Sequence, residues 1–181
     1  MAILTAAVVL VGLLCVLDLL LSFGIIRRLR EQNETLKNVQ QQRAAIDPEI
    51  ALPAGASIGT FTAATVGGTD LSNADIDGTR ALVGFFAPAC EPCKERMPQF
   101  IEYATRFDGK VIAIASGTEE ETADMVVRLG EVAEVIREAD GGVVHQAFGA
   151  SGYPALCLVD GDRTVLASGW EMSALPVPAA L

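Results

Sequence analysis

The sequence predicts an α/β domain whose central sheet is of mixed direction and flanked by helices, carried behind an N-terminal transmembrane helix. Three observations lead there. Residues 2–26 are almost uninterrupted apolar sequence. Beyond residue 58, apolar runs of strand length alternate with stretches of helical periodicity. Near the end, Asp160-Gly161 marks a hairpin between two further apolar runs. With 181 residues, the chain has room for one domain of ordinary size and its appendages.

In the first segment only Thr5, Asp18 and Ser22 are polar, and about 25 residues at about 1.5 Å each exceed the roughly 30 Å hydrocarbon core of a bilayer. A cleaved signal peptide would carry a basic start and a small-residue cleavage site. Met1-Ala2-Ile3-Leu4 has no charge, and Leu13-Leu14 ahead of Cys15 lacks the small residue of a lipoprotein site. Asp18 would cost about 2.5–3.5 kcal/mol at the bilayer centre. Arg27, Arg28 and Arg30 begin about three helical turns later, which places Asp18 within reach of the interface. Residues 27–46 are free of Gly and Pro and rich in good helix formers, as in a helical stalk. Leu29, Leu36 and Val39 cover too few heptads for a coiled coil. Pro48, Pro53 and Gly55 then mark residues 47–57 as a linker. The expected organisation is an anchor at 1–26, a stalk and linker at 27–57, the α/β domain at 58–173 and a tail at 174–181.

Charge follows the same division. The formal net charge of -10 excludes a phosphate-neutralising basic face, and with it nucleic acid as a partner. Residues 27–46 hold five basic side chains against two acidic, whereas residues 47–181 hold eight against twenty. The basic patch therefore adjoins the membrane, where anionic headgroups favour it.

Within the domain, Gly59 to Val66, the turn Gly67-Gly68 and Leu71 to Ile76 read as a short hairpin. Arg80 to Phe86 is compact and apolar, as in a strand buried on both faces. Met97, Phe100, Ile101, Ala104 and Phe107 fall at helical spacing along 92–107, with Pro98 inside. Val111 to Ala115 is a second strand. Thr118 and Glu121 form a capping box opening a helix that Gly130 closes. Glu131 to Ala139 reads as a strand, Gly142 to Gly149 as a short helix, Ala155 to Val159 as a strand, and Thr164 to Ala167 as its hairpin partner.

Chemistry concentrates at Cys90-Glu91-Pro92-Cys93, where a buried strand gives way to a helix. Attack on a disulfide needs a thiolate, and a helix N-terminus lowers a thiol's pKa through free N–H groups and the dipole. Cys90 is the expected nucleophile and Cys93 the resolving thiol. Pro92 suits the first turn because it has no N–H to leave unpaired, and Glu91 is the other residue placed to tune the pair. A zinc site would need two more ligands at matching spacing, which His145 and Cys157 do not supply. No metal or other cofactor is expected.

A strand ending in Phe85-Phe86-Ala87, a Cys-x-x-Cys helix, and Gly152-Tyr153-Pro154 before Leu156-Cys157-Leu158-Val159-Asp160 together resemble the thioredoxin fold. Over about residues 58–170 they resemble more narrowly its membrane-anchored TlpA/ResA-type thiol-disulfide oxidoreductases, with MauD-like maturation factors a close variant. The resemblance implies a thioredoxin-like mixed sheet, a cis Pro154, and a Tyr153-Pro154 loop that binds the client chain beside the sulfurs. It implies reduction or maturation of disulfides in extracytoplasmic protein clients, the direction staying open, with a membrane electron donor of the dithiol-relay type as a further partner.

The sequence also departs from that pattern. Ala89 stands where an aromatic often precedes the first cysteine, and Gly84 where thioredoxins bury a proton-ferrying acid. Arg96 takes the place of another acid, where it could hold a thiolate or repel basic partners. Glu91 and Glu95 could substitute as the relay, although both read as solvated charges. Ala87-Pro88-Ala89 lacks the Thr by which a peroxiredoxin-type peroxidase positions peroxide. The rival from another class is a copper- or metal-delivery protein using Cys90, Cys93 and His145; the residues favour a satisfied histidine at 145. Cys157, flanked by leucines in a strand, reads as a packed, protonated thiol. For topology, Arg27, Arg28 and Arg30 argue by the positive-inside rule for a cytoplasmic domain. The resemblance argues for a single-pass protein of the cell membrane with its domain outside, which is the expectation adopted.

Overall fold

The computed structural model describes residues 49–176. The expected anchor and stalk, and residues 177–181 of the tail, lie outside the described residues. Among the described residues, no helix is long and apolar enough to cross a membrane.

Among the described residues, seven strands and three α-helices follow in the expected order. β1 (Thr62–Ala64) and β2 (Asp70–Ser72) form an antiparallel two-stranded sheet. β3 (Ala81–Phe86), β4 (Lys110–Ser116), β5 (Glu134–Glu138), β6 (Ala155–Val159) and β7 (Val165–Gly169) form a five-stranded sheet in the order β5-β4-β3-β6-β7. β4 runs parallel to β3 and β5 to β4, while β6 is antiparallel to β3 and β7 to β6. The helices are α1 (Glu91–Ala104), α2 (Glu119–Leu129) and α3 (Val143–Phe148). This is the mixed α/β architecture of a thioredoxin-like domain.

All six residues of β3 are buried, as its unalternating apolar sequence requires of a central strand covered on both faces. Alternation along the strands sorts the core into two layers. Leu82, Phe86, Ala113, Ala115, Leu156 and Leu158 meet Cys93, Met97, Phe100 and Ala104 of α1 and Leu129 of α2. On the opposite face Val83, Phe85, Ile112, Ile114, Ile136 and Cys157 meet Val144, Ala147 and Phe148 of α3. Gly84 is what lets α1 approach: a Cβ there would stand 2.7 Å from the rings of both Phe86 and Phe100. Those rings, 5.3 Å apart and edge-on, fill the space over Gly84.

The hairpin strands are shorter than the sequence suggests. The Asn73 side chain takes the backbone instead, accepting from Phe61 N at 2.7 Å and donating to Gly59 O at 3.0 Å, and the chain turns through a 3-10 segment, Asn73–Asp75. The capping box of α2 forms as expected: Glu121 accepts from Thr118 N at 3.0 Å, and Thr118 Oγ1 accepts from Glu121 N at 3.4 Å. Hydrogen bonds from Thr118 hold the Glu121 carboxyl below its ordinary pKa.

Residues 49–57 pack, although their prolines and glycines read as a linker. Ala51 is buried, Leu52 N donates to Phe148 O at 2.9 Å, and Gly55 N and Val165 N exchange bonds with Val165 O and Ala56 O at 2.8 Å. Pro53 and Gly55 exclude helix here but leave backbone groups free to run beside β7. At the other end, Leu175 is buried and Pro176 O accepts a 2.7 Å hydrogen bond from Tyr103, so the packed region passes residue 173.

Candidate functional site

Cys90 occupies the N-cap of α1 in extended backbone, and its sulfur accepts from Cys93 N at 3.1 Å. The two cysteines are joined as a disulfide with Cα atoms 5.2 Å apart. Helical geometry sets their exposure. Cys90, at the cap, is half-buried at the surface, while Cys93, one turn in, faces the core and is 3% exposed. Glu91 and Pro92 are exposed beside them, Glu91 bonded to Lys94 at 2.7 Å.

The loop before β6 completes the site. The Tyr153–Pro154 peptide bond is cis, as the resemblance implied, and Pro154 is buried while Tyr153 is half-buried. Cys90 and Tyr153 line one cleft of about 510 Å³, together with Glu91, Pro92, Ser116, Gly117 and Asp140. The cleft is therefore assembled from the start of α1, the end of β4, the turn after β5 and the loop before β6. Sequence reasoning brought out the first and last of these. Ser116, Gly117 and Asp140 escaped it, because no motif ties them to the cysteines.

Behind the cleft lies a polar group in the core. His145, 1% exposed, sits with Nδ1 at 2.6 Å from Glu138 Oε1 and Nε2 at 2.7 Å from Tyr153 Oη and 3.0 Å from Ser116 Oγ. Tyr153 Oη in turn donates to Asp140 Oδ1 at 2.6 Å. The Glu138 carboxylate also accepts from the backbone N–H groups of Val144 and His145 at the start of α3. Burial pushes the Glu138 carboxyl up, but the hydrogen bonds from His145 and those two N–H groups outweigh it and hold the pKa below the ordinary value. The Tyr153 hydroxyl is pushed up to about 12, first by burial and then by Asp140.

His145 does not join the sulfurs. Both its ring nitrogens are engaged, and among the described residues no group of three His, Cys, Asp or Glu side chains stands where it could hold a metal ion. Arg96 is likewise committed elsewhere: it bonds Glu95 at 2.8 Å and Glu171 at 2.9 Å, with its guanidinium 5.4 Å from the Trp170 ring centroid. It links the C-terminal segment at Trp170 and Glu171 to α1.

The AhpC/TSA family model matches residues 54–168. The chain belongs to the AhpC/TSA family. Among solved structures, this AhpC/TSA chain is similar to a Neisseria meningitidis protein assigned to the thioredoxins. The two are 28% identical, with a TM-score of 0.53 over 65% of this chain and 79% of the other. It is similar in fold to the thioredoxin domain of a Bacteroides vulgatus thiol-disulfide oxidoreductase, at 20% identity and a TM-score of 0.59 over 68% and 93% of the two chains. A secreted Mycobacterium tuberculosis disulfide oxidoreductase aligns at 21% identity and a TM-score of 0.54, over 66% and 90%.

Cys157 of this AhpC/TSA chain is fully buried in the layer opposite Cys93, and burial raises its thiol to about 12. A protonated thiol is no nucleophile at neutral pH. Cys157→Ala is expected to leave disulfide exchange within about two-fold of wild type while lowering stability by about 1 kcal/mol, the order of a small core truncation. Comparing turnover with the urea midpoint checks this: lost turnover at an unchanged midpoint would make Cys157 a third redox thiol.

Proposed function

We propose that this AhpC/TSA-family chain is a thiol-disulfide oxidoreductase of the TlpA/ResA type, tethered to the cell membrane through residues 1–26 and acting outside the cytoplasm on protein clients. One observation carries the reading most: the more exposed cysteine of a disulfide pair shares a cleft with the Tyr153–Pro154 loop.

In the reducing direction, the Cys90 thiolate attacks one sulfur of a client disulfide. A mixed disulfide forms, and the other client sulfur leaves as a thiolate that takes up a proton. Cys93 then loses its proton and attacks the Cys90 sulfur, closing the Cys90–Cys93 bond and releasing the second client thiol. Two electrons pass from the dithiol to the client, and a membrane dithiol donor returns them. The accessible Cys90 and buried Cys93 suit this order of attack, because the resolving thiol must be kept from solvent and other partners. Ala87-Pro88-Ala89 offers no hydroxyl ahead of Cys90, which favours disulfide exchange over peroxide chemistry.

Cys93→Ser in the native membrane tests the reading. It is expected to accumulate a mixed disulfide between Cys90 and a protein client, and protease added to intact spheroplasts is expected to digest the domain. Absence of any trapped client removes the exchange function, and full protection until lysis removes the extracytoplasmic topology. The client loop has its own test. Pro154→Ala is expected to slow exchange with a protein disulfide about ten-fold more than with a small-molecule disulfide, the scale of a lost positioning contact. Equal losses on both would mean a folding defect instead.

A further inference from the structure

The polar group behind the cleft has a proton count that its geometry dictates. Tyr153 Oη has two short contacts, 2.6 Å to Asp140 Oδ1 and 2.7 Å to His145 Nε2, but carries only one hydrogen. With that hydrogen given to Asp140, the second contact needs a hydrogen on Nε2. The 2.6 Å contact of Nδ1 with Glu138 Oε1 needs another, since a carboxylate has none to give. Glu138 is held ionised by three hydrogen bonds. With Asp140 ionised, the Tyr153–Asp140, Tyr153–Nε2 and Nδ1–Glu138 contacts are satisfied together only when both ring nitrogens of His145 carry hydrogen. Nε2 also lies 3.0 Å from Ser116 Oγ, which can accept a share of its hydrogen. A buried imidazolium then links Glu138 directly, and Asp140 through Tyr153.

We propose that protonated His145 is a positioning residue for the exchange reaction, holding the Tyr153 hydroxyl against Asp140 and thereby fixing the wall of the Cys90 cleft beside the client loop. This rests on the exchange reading above and adds to it how the site is kept in shape. Once the histidine proton leaves, the Nε2 lone pair and the Asp140 carboxylate compete for the single Tyr153 hydrogen. One of the two contacts then opens, and the ring that lines the cleft next to Pro154 loses its anchor. The groups facing His145 are few. β3 brings the Phe85 ring, with centroids 4.9 Å apart, and β4 brings Ser116. β5 brings Glu138, while its neighbour Arg137 bonds Thr122 on the other side. β1, which packs on α3, has no titratable side chain. Asp140 and Tyr153 complete the set, and of all these only Glu138, Asp140 and Tyr153 titrate.

The test is direct because His145 is the only histidine of the chain. Nitrogen NMR of the full 181-residue chain in detergent reads both ring nitrogens without ambiguity. On lowering the pH, both are expected to become protonated. Tyr153→Phe, which keeps the ring and removes the link to Asp140, is expected to lower the fraction of molecules in which both nitrogens carry hydrogen at a given pH. Asp140→Asn should move it the same way.

The kinetic readout is the ratio of the exchange rate with a disulfide-bonded peptide to that with 2-hydroxyethyl disulfide, in which the pH dependence of the Cys90 thiolate cancels. In the wild type the ratio is expected to fall about three-fold or more as pH rises across the range where histidines titrate, and in Tyr153→Phe to show no such fall. A neutral His145 throughout, or identical profiles in the wild type and Tyr153→Phe, overturns the proposal. Absence of exchange with either disulfide overturns the functional reading instead, and the NMR titration separates the two failures.

Discussion

Cys90→Ser is expected to reduce disulfide exchange by roughly three orders of magnitude or more, the loss typical of removing a nucleophile. A hydroxyl at the same place has neither the acidity nor the sulfur needed to form a mixed disulfide, and buried Cys93 cannot take over, because it is 3% exposed and faces the α1 core layer. Cys90 sits at a helix N-terminus with its sulfur 3.1 Å from Cys93 N, an arrangement that would stabilise a thiolate once the disulfide is reduced. Alkylation of Cys90 is accordingly expected well below the roughly pH 8.5 of a free thiol. The measurement is the rate of iodoacetamide labelling at each cysteine against pH. If Cys93 labelled faster and at lower pH, or if Cys90→Ser retained exchange, the order of attack would be reversed.

Phe100→Ala is expected to cost about 3–5 kcal/mol, the range for emptying a large buried aromatic site. Phe100 is fully buried, lies edge-on to Phe86, and occupies the space that Gly84 leaves over the central strand. No neighbouring side chain grows out of Gly84 to refill that volume, so collapse around the alanine is limited. Urea unfolding with an unchanged m-value checks it. A loss below about 1 kcal/mol would mean that the layer between α1 and the sheet repacks far more freely than its ring contacts imply. Because α1 carries both cysteines, exchange activity should fall with the folded fraction and not before it.

Much of the architecture could be read from local sequence, and the reasons are particular. β3 and β6 are buried on both faces, so their apolar runs are unbroken and their bounds were near those expected. α2 announces itself through Thr118 and Glu121, since a capping box is a local hydrogen-bond arrangement. The two cysteines and Pro154 were legible because their chemistry depends on short-range spacing, and the resemblance linked the two motifs. Other features depend on partners far away in the chain. The shortened hairpin follows from Asn73 bonding across twelve and fourteen residues to Phe61 and Gly59. Residues 49–57 read as linker because their composition reports only what they cannot form, while β7, about 110 residues later, supplies their hydrogen bonds. The His145 group draws on β4, β5, α3 and two loops. A lone histidine in sequence carries no trace of that assembly, and a satisfied core residue was the natural reading.

The five-stranded sheet ends in β5 on one side and β7 on the other, and both meet backbone from their own chain. Val66 N donates to Val135 O at 2.7 Å and Thr65 bridges to Ile136, while residues 55–57 pair with 164 and 165. At Val135 and Ile136 of β5, and at the start of β7, the borders are already paired, so a strand from another molecule cannot extend the sheet there. On the exchange reading proposed above, the mouth of the cleft, where Tyr153 and Asp140 stand with Cys90, would meet only a short stretch around the partner's own cysteine, so selectivity would be decided over a few residues of the partner and not along its length.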